Sequence, residues 1–370
     1  MSEKRWEIMD AKDKICEYFQ NGCTSRRCIG LELEHFVMKN NKPFNYSDGV
    51  KDILTEISVG AKSVFSESGN ILGADMGEYT LTLEPGAQLE VSVVPFENVS
   101  DIKRVLNSFY QTAEPVLKKY DAELCVLPAV DKKNLDSIEL IPKERYRYMD
   151  MYFQKSGTMG RYMMRGSAST QVSVDYESEK DFVKKFRAAY ILSPFFALIS
   201  ANGRGLKRIE IWDDVDNART YIPRYLFSDS FGFEAYADEL LKVPVIFVPA
   251  GDGFVYTGND TIQTVSDKYG SSEAMTEHYL SMVFPDVRLK KYIEIRIADA
   301  MPAKRATEYA ELIKNIFYTN ALDEIIDRYS GVTVADIKEA KHKIKTDGKN
   351  AIIYGKRAET ELEYLLSFMR

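Results

Sequence analysis

Four short segments of this chain alternate apolar and polar side chains with a period of two, the signature of half-buried β-strands. In IGLELEHF, Glu32 and Glu34 point to one face while Leu31, Leu33 and His35 point to the other. In AQLEVSV, Gln88, Glu90 and Ser92 oppose Leu89, Val91 and Val93. TQVSVDY sets Gln171, Ser173 and Asp175 against Val172 and Val174, and KYIEIRIAD sets Glu294 and Arg296 against Ile293, Ile295 and Ile297. Between these runs the spacing of apolar residues predicts helices: from the N-terminus to about residue 21, and over residues 100–120, 179–201, 306–329, 333–345 and 357–369.

Strands of a parallel sheet are buried on both faces and read as continuous apolar runs, whereas these alternate. The pattern therefore predicts an α+β fold, an antiparallel sheet with helices packed on one face and a polar second face. No repeat, low-complexity tract or long Pro/Gly/Ser linker divides the chain. One catalytic domain over residues 1–370 is expected, with 300–370 as a helical C-terminal part packed on it.

The polar face changes the picture because it is mostly acidic. Like charges on adjacent strands repel unless something neutralises them, and a divalent metal would do so. Hard cations such as Mg²⁺ take one or two carboxylates each and complete their shells with water and phosphate oxygens. Glu32, Glu34, Glu84, Glu90 and Glu294 are the candidate ligands for two or more ions. Arg296 shares a face with Glu294, and a guanidinium beside metals makes sense when phosphate is present as well. The set predicts phosphoryl transfer without a P-loop, since GxxxxGK[ST] is absent. The nearest glycine-rich run, KSGTMG at residues 155–160, is a weak signal alone. A solvated sheet face remains the bland alternative for any one strand.

Overall charge narrows the partners. The 56 acidic and 49 basic side chains leave −7, which argues against a broad basic nucleic-acid face. The most apolar stretch, residues 188–201, is shorter than the roughly 20 residues of a membrane helix, and Ser193 and Pro194 interrupt it. The charged start MSEKRWEIMDAKDK lacks the apolar core of a signal peptide, so a cytoplasmic location is expected. The four cysteines and three histidines show no zinc-ligand spacing and read as thiols of a reducing compartment and as structural residues.

Eight collinear segments, GLELEHFV, LEPGAQLEVSV, IPKERYRYM, QKSGTMGRYMM, TQVSVDY, KKFRAAYILSP, SFGFEAY and FPDVRLKKYIEIRIAD, resemble the plant and proteobacterial type of glutamate–cysteine ligase from about residue 29 to 299. The resemblance implies a glutamine-synthetase-like domain, with a curved antiparallel sheet forming a funnel. It implies that ATP phosphorylates the γ-carboxylate of glutamate and that the amine of cysteine displaces the phosphate, a monomer or homodimer acting on small molecules. Position by position, Glu32, Glu34, Glu84, Glu90 and Glu294 match metal-binding carboxylates, with Gln171 in the same shell. Arg296, with Glu294, matches the catalytic pair near the transferred phosphate. Arg208 in RIEIW matches the clamp on the glutamate α-carboxylate, although the run by itself reads as a surface strand. Phe231 matches an aromatic of the acceptor pocket, and Arg165, Trp212 and Ile246 fall at further substrate positions. Lys155, Gln171, Ser173 and Arg296 fall at nucleotide positions.

The chain also departs from that pattern. Ser173 replaces the usual Asn, Arg165 is displaced by one residue, Ile246 replaces a tyrosine, and the segment before Arg208 is shorter. The acceptor is therefore cysteine or another small amino acid or amine. A non-catalytic metal- or nucleotide-binding protein is the alternative of a different class; ADP release that needs both glutamate and an amine separates the two.

Overall fold

The computed structural model describes residues 10–202, 205–251 and 253–369. The expected N-terminal helix is present as Ala11–Gln20, capped by the Asp10 carboxylate accepting from the Asp13 amide. The part of that expectation covering residues 1–9 lies outside the described residues.

Twelve strands order the centre of the chain: β1 (Ile29–Lys39), β2 (Lys42–Pro43), β3 (Ser63–Glu67), β4 (Asn70–Asp75), β5 (Tyr79–Leu83), β6 (Leu89–Phe96), β7 (Glu123–Cys125), β8 (Thr170–Val174), β9 (Phe247–Ala250), β10 (Gly253–Tyr256), β11 (Val287–Leu289) and β12 (Ile293–Ile295). The main sheet runs β11-β12-β8-β1-β6-β5-β4-β3, with β2 and β7 pairing the far end of β1. Each pairing in it is antiparallel. At its outer edge β3 is exposed along most of its length, and a register shift interrupts its ladder between Phe65 and Ser66.

The predicted alternation sets which face is which. Leu31, Leu33, Val91, Val172, Ile293 and Ile295 are buried on the side covered by helices Val99–Lys119, Glu179–Ser200 and Ala303–Phe317. His35 belongs to this apolar side. Its ring contacts Leu89 O at 3.3 Å and Tyr110 Oη at 2.7 Å, and burial pushes its pKa down to about 4, so it is neutral. Register then aligns the polar positions in rows: Glu32 opposite Gln171 and Ser92, Glu34 opposite Glu90, Thr82 opposite Glu90, and Glu294 opposite Ser173 and Arg288.

The C-terminal part is helical, as the pattern predicts, but the single helix expected over 306–329 is two. Ala303–Phe317 and Ala321–Arg328 meet at Tyr318–Asn320, where the Asn320 carbonyl accepts from the amides of Asp323 and Glu324. Helix Val334–Asp347 starts on a capping box in which Thr333 and Asp336 satisfy each other's backbone amides. It docks on Glu179–Ser200, and Lys341 forms a buried ion pair with Asp286, 2.6 Å away, just ahead of β11. No helix among the described residues is long and apolar enough to cross a membrane.

Candidate active site

The polar face of the sheet floors a cavity of about 560 Å³. Glu32 and Glu34 from β1, Glu90 from β6, Gln171 from β8, and Glu294 and Arg296 from β12 and its continuation line it, with Glu84 and Gln88 from the β5–β6 turn. Helices supply the walls: Tyr146 and Met149 from Glu144–Phe153, Met163 and Met164 from Gly160–Gly166, and Arg208 and Trp212 from Lys207–Trp212. Strand β11 adds Arg288, and the β11–β12 turn adds Lys290 and Tyr292.

The carboxylates fall into two electrostatic classes. Glu32 and Glu84 are each pushed up to about 7, by burial first and then by the charge of Glu294 for the former and Glu34 for the latter. Glu90 is raised well above the ordinary carboxylate value by burial and by Glu32, Glu84 and Glu34, while Thr82 Oγ1 donates to it at 2.7 Å. Glu294 behaves oppositely. Burial disfavours its charge, but Arg288, Arg296 and Lys290 more than offset that and hold it ionised. Its Oε2 accepts from Arg288 Nε at 2.7 Å and Arg296 Nη1 at 2.8 Å, and Lys290 Nζ stands 3.5 Å from Oε1.

Arg296 links Glu294 to Glu34, because its Nη1 also donates to Gln171 Oε1, and Gln171 Nε2 donates to Glu34 at 3.0 Å. Glu34 further accepts from the amide and hydroxyl of Ser169, at 2.9 and 2.7 Å. The Arg296 Nε is buried without an acceptor, so this guanidinium has a donor to spare.

Arg208 corrects the strand reading of RIEIW: it lies on a six-residue helix and is 4% exposed. Its Nε donates to the Arg296 carbonyl, its amide donates to Asp299 Oδ1 at 3.0 Å, and its guanidinium lies 3.7 Å from the Trp212 ring centre. Burial, reinforced by Arg296, pushes its pKa down to about 10. A cation so strongly disfavoured is suited to an anionic ligand.

Other expected residues stand away from the cavity wall. Phe231 packs among Phe182, Phe186 and Tyr236, since an aromatic beside three aromatics gains more by burial than by facing a polar cavity. Ile246 is fully buried for the same reason. Lys155 is exposed, and its loop is closed on Asp214, whose carbonyl accepts from the amides of Thr158 and Met159. Those amides are therefore engaged and cannot cradle a phosphate. Arg165 pairs with Asp150 at 2.9 Å and donates to the Ile138 carbonyl. Ser173 sits on the acidic face of the sheet, opposite Glu294 and Gly30, half-buried but not in the lining. Glu294 lines the cavity yet is occupied by arginines, which leaves little of it for a metal.

Among the described residues no three acidic, histidine or cysteine side chains converge on one point. The donors form a ring of separated carboxylates instead, which fits ions that take one or two protein ligands and fill their shells with water and phosphate. Arg288 and Lys290, unassigned from the sequence, share the period-two face of VRLKKYIEIR with Glu294 and Arg296, and that spacing is the signal that marks them.

The chain matches the family described as Glutamate-cysteine ligase family 2 (GCS2) over residues 28–345. It belongs to this family. Members similar to it include the chloroplastic glutamate–cysteine ligase of Nicotiana tabacum, 30% identical over 364 residues, covering 91% of this chain and 69% of the relative. Glutamate–cysteine ligase B of Oryza sativa subsp. japonica, also chloroplastic, is 30% identical over 359 residues, covering 91% and 72%. Among solved structures, the complex between the prokaryotic ubiquitin-like protein Pup and its ligase PafA aligns with a TM-score of 0.39 at 12% identity, over 95% of this chain and 58% of that one. That likeness is too distant to bear on the site. The ligase family thus accounts for a cavity whose floor and walls carry opposite charges in close apposition.

Proposed function

We propose that the protein is a glutamate–cysteine ligase, an ATP-dependent, ADP-forming enzyme joining the γ-carboxylate of L-glutamate to the amine of L-cysteine, the first step of glutathione-type thiol synthesis. The observation that carries this reading is the single cavity in which Glu32, Glu34, Glu84 and Glu90 face Arg208, Arg288 and Arg296. Family membership gives it its substrates.

In this reading the γ-carboxylate oxygen attacks the terminal phosphorus of ATP and ADP leaves. The amine nitrogen, freed of its ammonium proton to solvent, then attacks the acyl carbon of the γ-glutamyl phosphate, inorganic phosphate departs with the C–O bonding pair, and the nitrogen gives up a further proton to solvent as the amide forms. Mg²⁺ ions, two or more, held by Glu32, Glu34, Glu84 and Glu90 with Gln171 nearby, would neutralise and orient phosphoryl oxygens. Arg296, anchored by Glu294 and Gln171, offers its spare donor to the charge that builds on the transferred group. Glu294 acts by positioning Arg288 and Arg296. Arg208 binds the α-carboxylate of glutamate, and the Trp212 ring fixes the plane of its guanidinium.

A second reading keeps the chemistry and changes the acceptor. Phe231 and Ile246 leave the cavity, and Met149, Met163, Met164, Trp212 and Phe284 form its apolar lining. Such a lining separates cysteine from alanine, serine or 2-aminobutyrate by only about 1 to 3 kcal/mol. Cys16, Cys23 and Cys28 are thiols, which fits a reducing compartment such as the cytosol, whereas the relatives named above are chloroplastic.

The test is ADP release with glutamate and each of the twenty amino acids. Cysteine should be the best acceptor, with 2-aminobutyrate within roughly two orders of magnitude in kcat/KM. Release that needs no glutamate, or no amine, would exclude a ligase.

A further inference from the structure

Asp299 is a carboxylate that no step above uses. It lies shortly beyond Arg296 in the chain, is 2% exposed and does not line the cavity. Its backbone is fixed in the sheet, where Asp299 bridges Ser169 in antiparallel register. On either side of it the Thr170 amide donates to the Ala298 carbonyl and the Ala300 amide to the Ala168 carbonyl, both at 3.3 Å. The Asp299 amide donates to Ser200 Oγ at 3.0 Å, on the last residue of helix Glu179–Ser200. Its Oδ1 accepts from the Arg208 amide at 3.0 Å, near the start of helix Lys207–Trp212. One anchored residue thus holds both helix ends that flank residues 201–206.

The first amides of a helix find no acceptor within it, and a polar side chain just before the helix usually supplies one. Here that position is Leu206, which has no such group, and the acceptor comes from 91 residues away. Burial pushes the Asp299 carboxyl up to about 6, while the amide and charge of Arg208, and then the Lys207 amide, favour its ionised form. Its Oδ2 is buried without a partner. A carboxylate kept under those conditions is unfavourable by itself, so its use must lie in what Oδ1 holds. What it holds is the backbone of Arg208, whose side-chain Nε is held in turn by the Arg296 carbonyl. Main chain and side chain of Arg208 are therefore both anchored on the short segment from Arg296 to Asp299.

We propose that Asp299 is a positioning residue for glutamate binding: by holding the Arg208 amide it aims the Arg208 guanidinium into the cavity before substrate arrives, without touching substrate itself. The inference rests on the reading of Arg208 as the clamp on the α-carboxylate. A guanidinium aimed in advance loses less freedom on binding, so the effect belongs to the affinity for glutamate and not to the chemical step.

Steady-state kinetics of the full chain test this. Asp299→Ala should raise the KM for glutamate by roughly tenfold, the scale of a lost helix cap, with kcat and the KM for ATP within about threefold of wild type. Asp299→Asn keeps an acceptor for the Arg208 amide and should bring the glutamate KM back to within about threefold of wild type. In an Arg208→Ala background Asp299→Ala should add no further rise, because it acts through the residue already removed. A loss of kcat or of active protein with the glutamate KM unmoved would make Asp299 a structural residue and overturn the proposal. An equal rise in both KM values, or additivity with Arg208→Ala, would overturn it as well. Should Asp299→Ala not fold, Asp299→Ser, whose shorter arm cannot reach the amide, carries the same expectation, and failure of both to fold would assign Asp299 to stability alone. Failure of the clamp reading is separate: it would show as an unchanged glutamate KM in Arg208→Ala itself.

Discussion

Glu32, Glu84 and Glu90 are carboxylates brought together by strand pairing into a place where none of them ionises easily. Their folded-state pKa values lie above the ordinary value of 4.5, with Glu32 and Glu84 near 7. As pH rises through that window the unfolded chain releases these protons before the folded one does, so metal-free stability falls from about pH 4.5 to about pH 7. A divalent ion takes the deprotonated form and reverses the loss. Mg²⁺ should therefore raise Tm more at about pH 8 than at about pH 5.5, and Glu32→Gln should flatten the metal-free profile. Equal stabilisation by Mg²⁺ at both pH values would count against these ligands. The arginines make a kinetic pair of predictions. Arg296→Lys keeps the charge but loses the planar fork that bridges Gln171 and Glu294, so kcat should fall by about 10²-fold or more with a smaller change in the KM for glutamate. Arg208→Ala should instead raise that KM sharply while leaving the KM for ATP much less affected, a split that steady-state kinetics resolves.

At the scale of elements, the acidic floor was legible because a strand's period of two puts chemistry and core on opposite sides of one short motif. Glu32, Glu34, Glu90 and Gln171 fall where alternation alone places them. Arg208 was harder, since a helix of six residues is too short to display a helical period and RIEIW alternates by accident of composition. Phe231 illustrates the converse: nothing local distinguishes an aromatic that lines a pocket from one that joins Phe182 and Phe186 in the core. Close approach between elements is equally silent in sequence. Gly22 lies where a Cβ would come within 2.6 Å of the Lys291 Cα and 2.3 Å of the Tyr176 hydroxyl, at the turn that carries Lys290. The same hydroxyl donates to Phe19 O at 2.6 Å and Lys290 O at 3.0 Å, joining the N-terminal helix to that turn. Gly22→Ala should cost about 1 to 3 kcal/mol in chemical denaturation, the usual range for overpacking, and should lower activity by displacing Lys290.

For the whole molecule, the helix Val334–Asp347 reaches the elements that carry both Arg296 and Arg208. Lys341 pairs with Asp286, whose backbone carbonyl accepts from the Arg296 amide at 2.8 Å. Lys345 pairs with Asp213, which follows Trp212 on the Arg208 helix. Lys341→Met leaves Asp286 buried and uncompensated and should cost about 3 to 5 kcal/mol. Lys341→Met combined with Asp286→Asn should recover much of that loss, because no charge is then stranded, and denaturant titration of the three proteins measures the coupling.

The pairing of β1 with β6 and β8 has one more consequence, which belongs to how the chain finds its fold. Sliding β1 by a single residue would turn Glu32 and Glu34 into the helical layer and Leu31 and Leu33 toward the cavity, since alternate side chains exchange faces. Two carboxylates driven into an apolar layer make that misaligned state prohibitively unfavourable. The residues that burden the finished structure with repulsion are therefore also the ones that forbid its nearest misfolded neighbour, and replacing both by leucine would remove the penalty that keeps the central strand in frame.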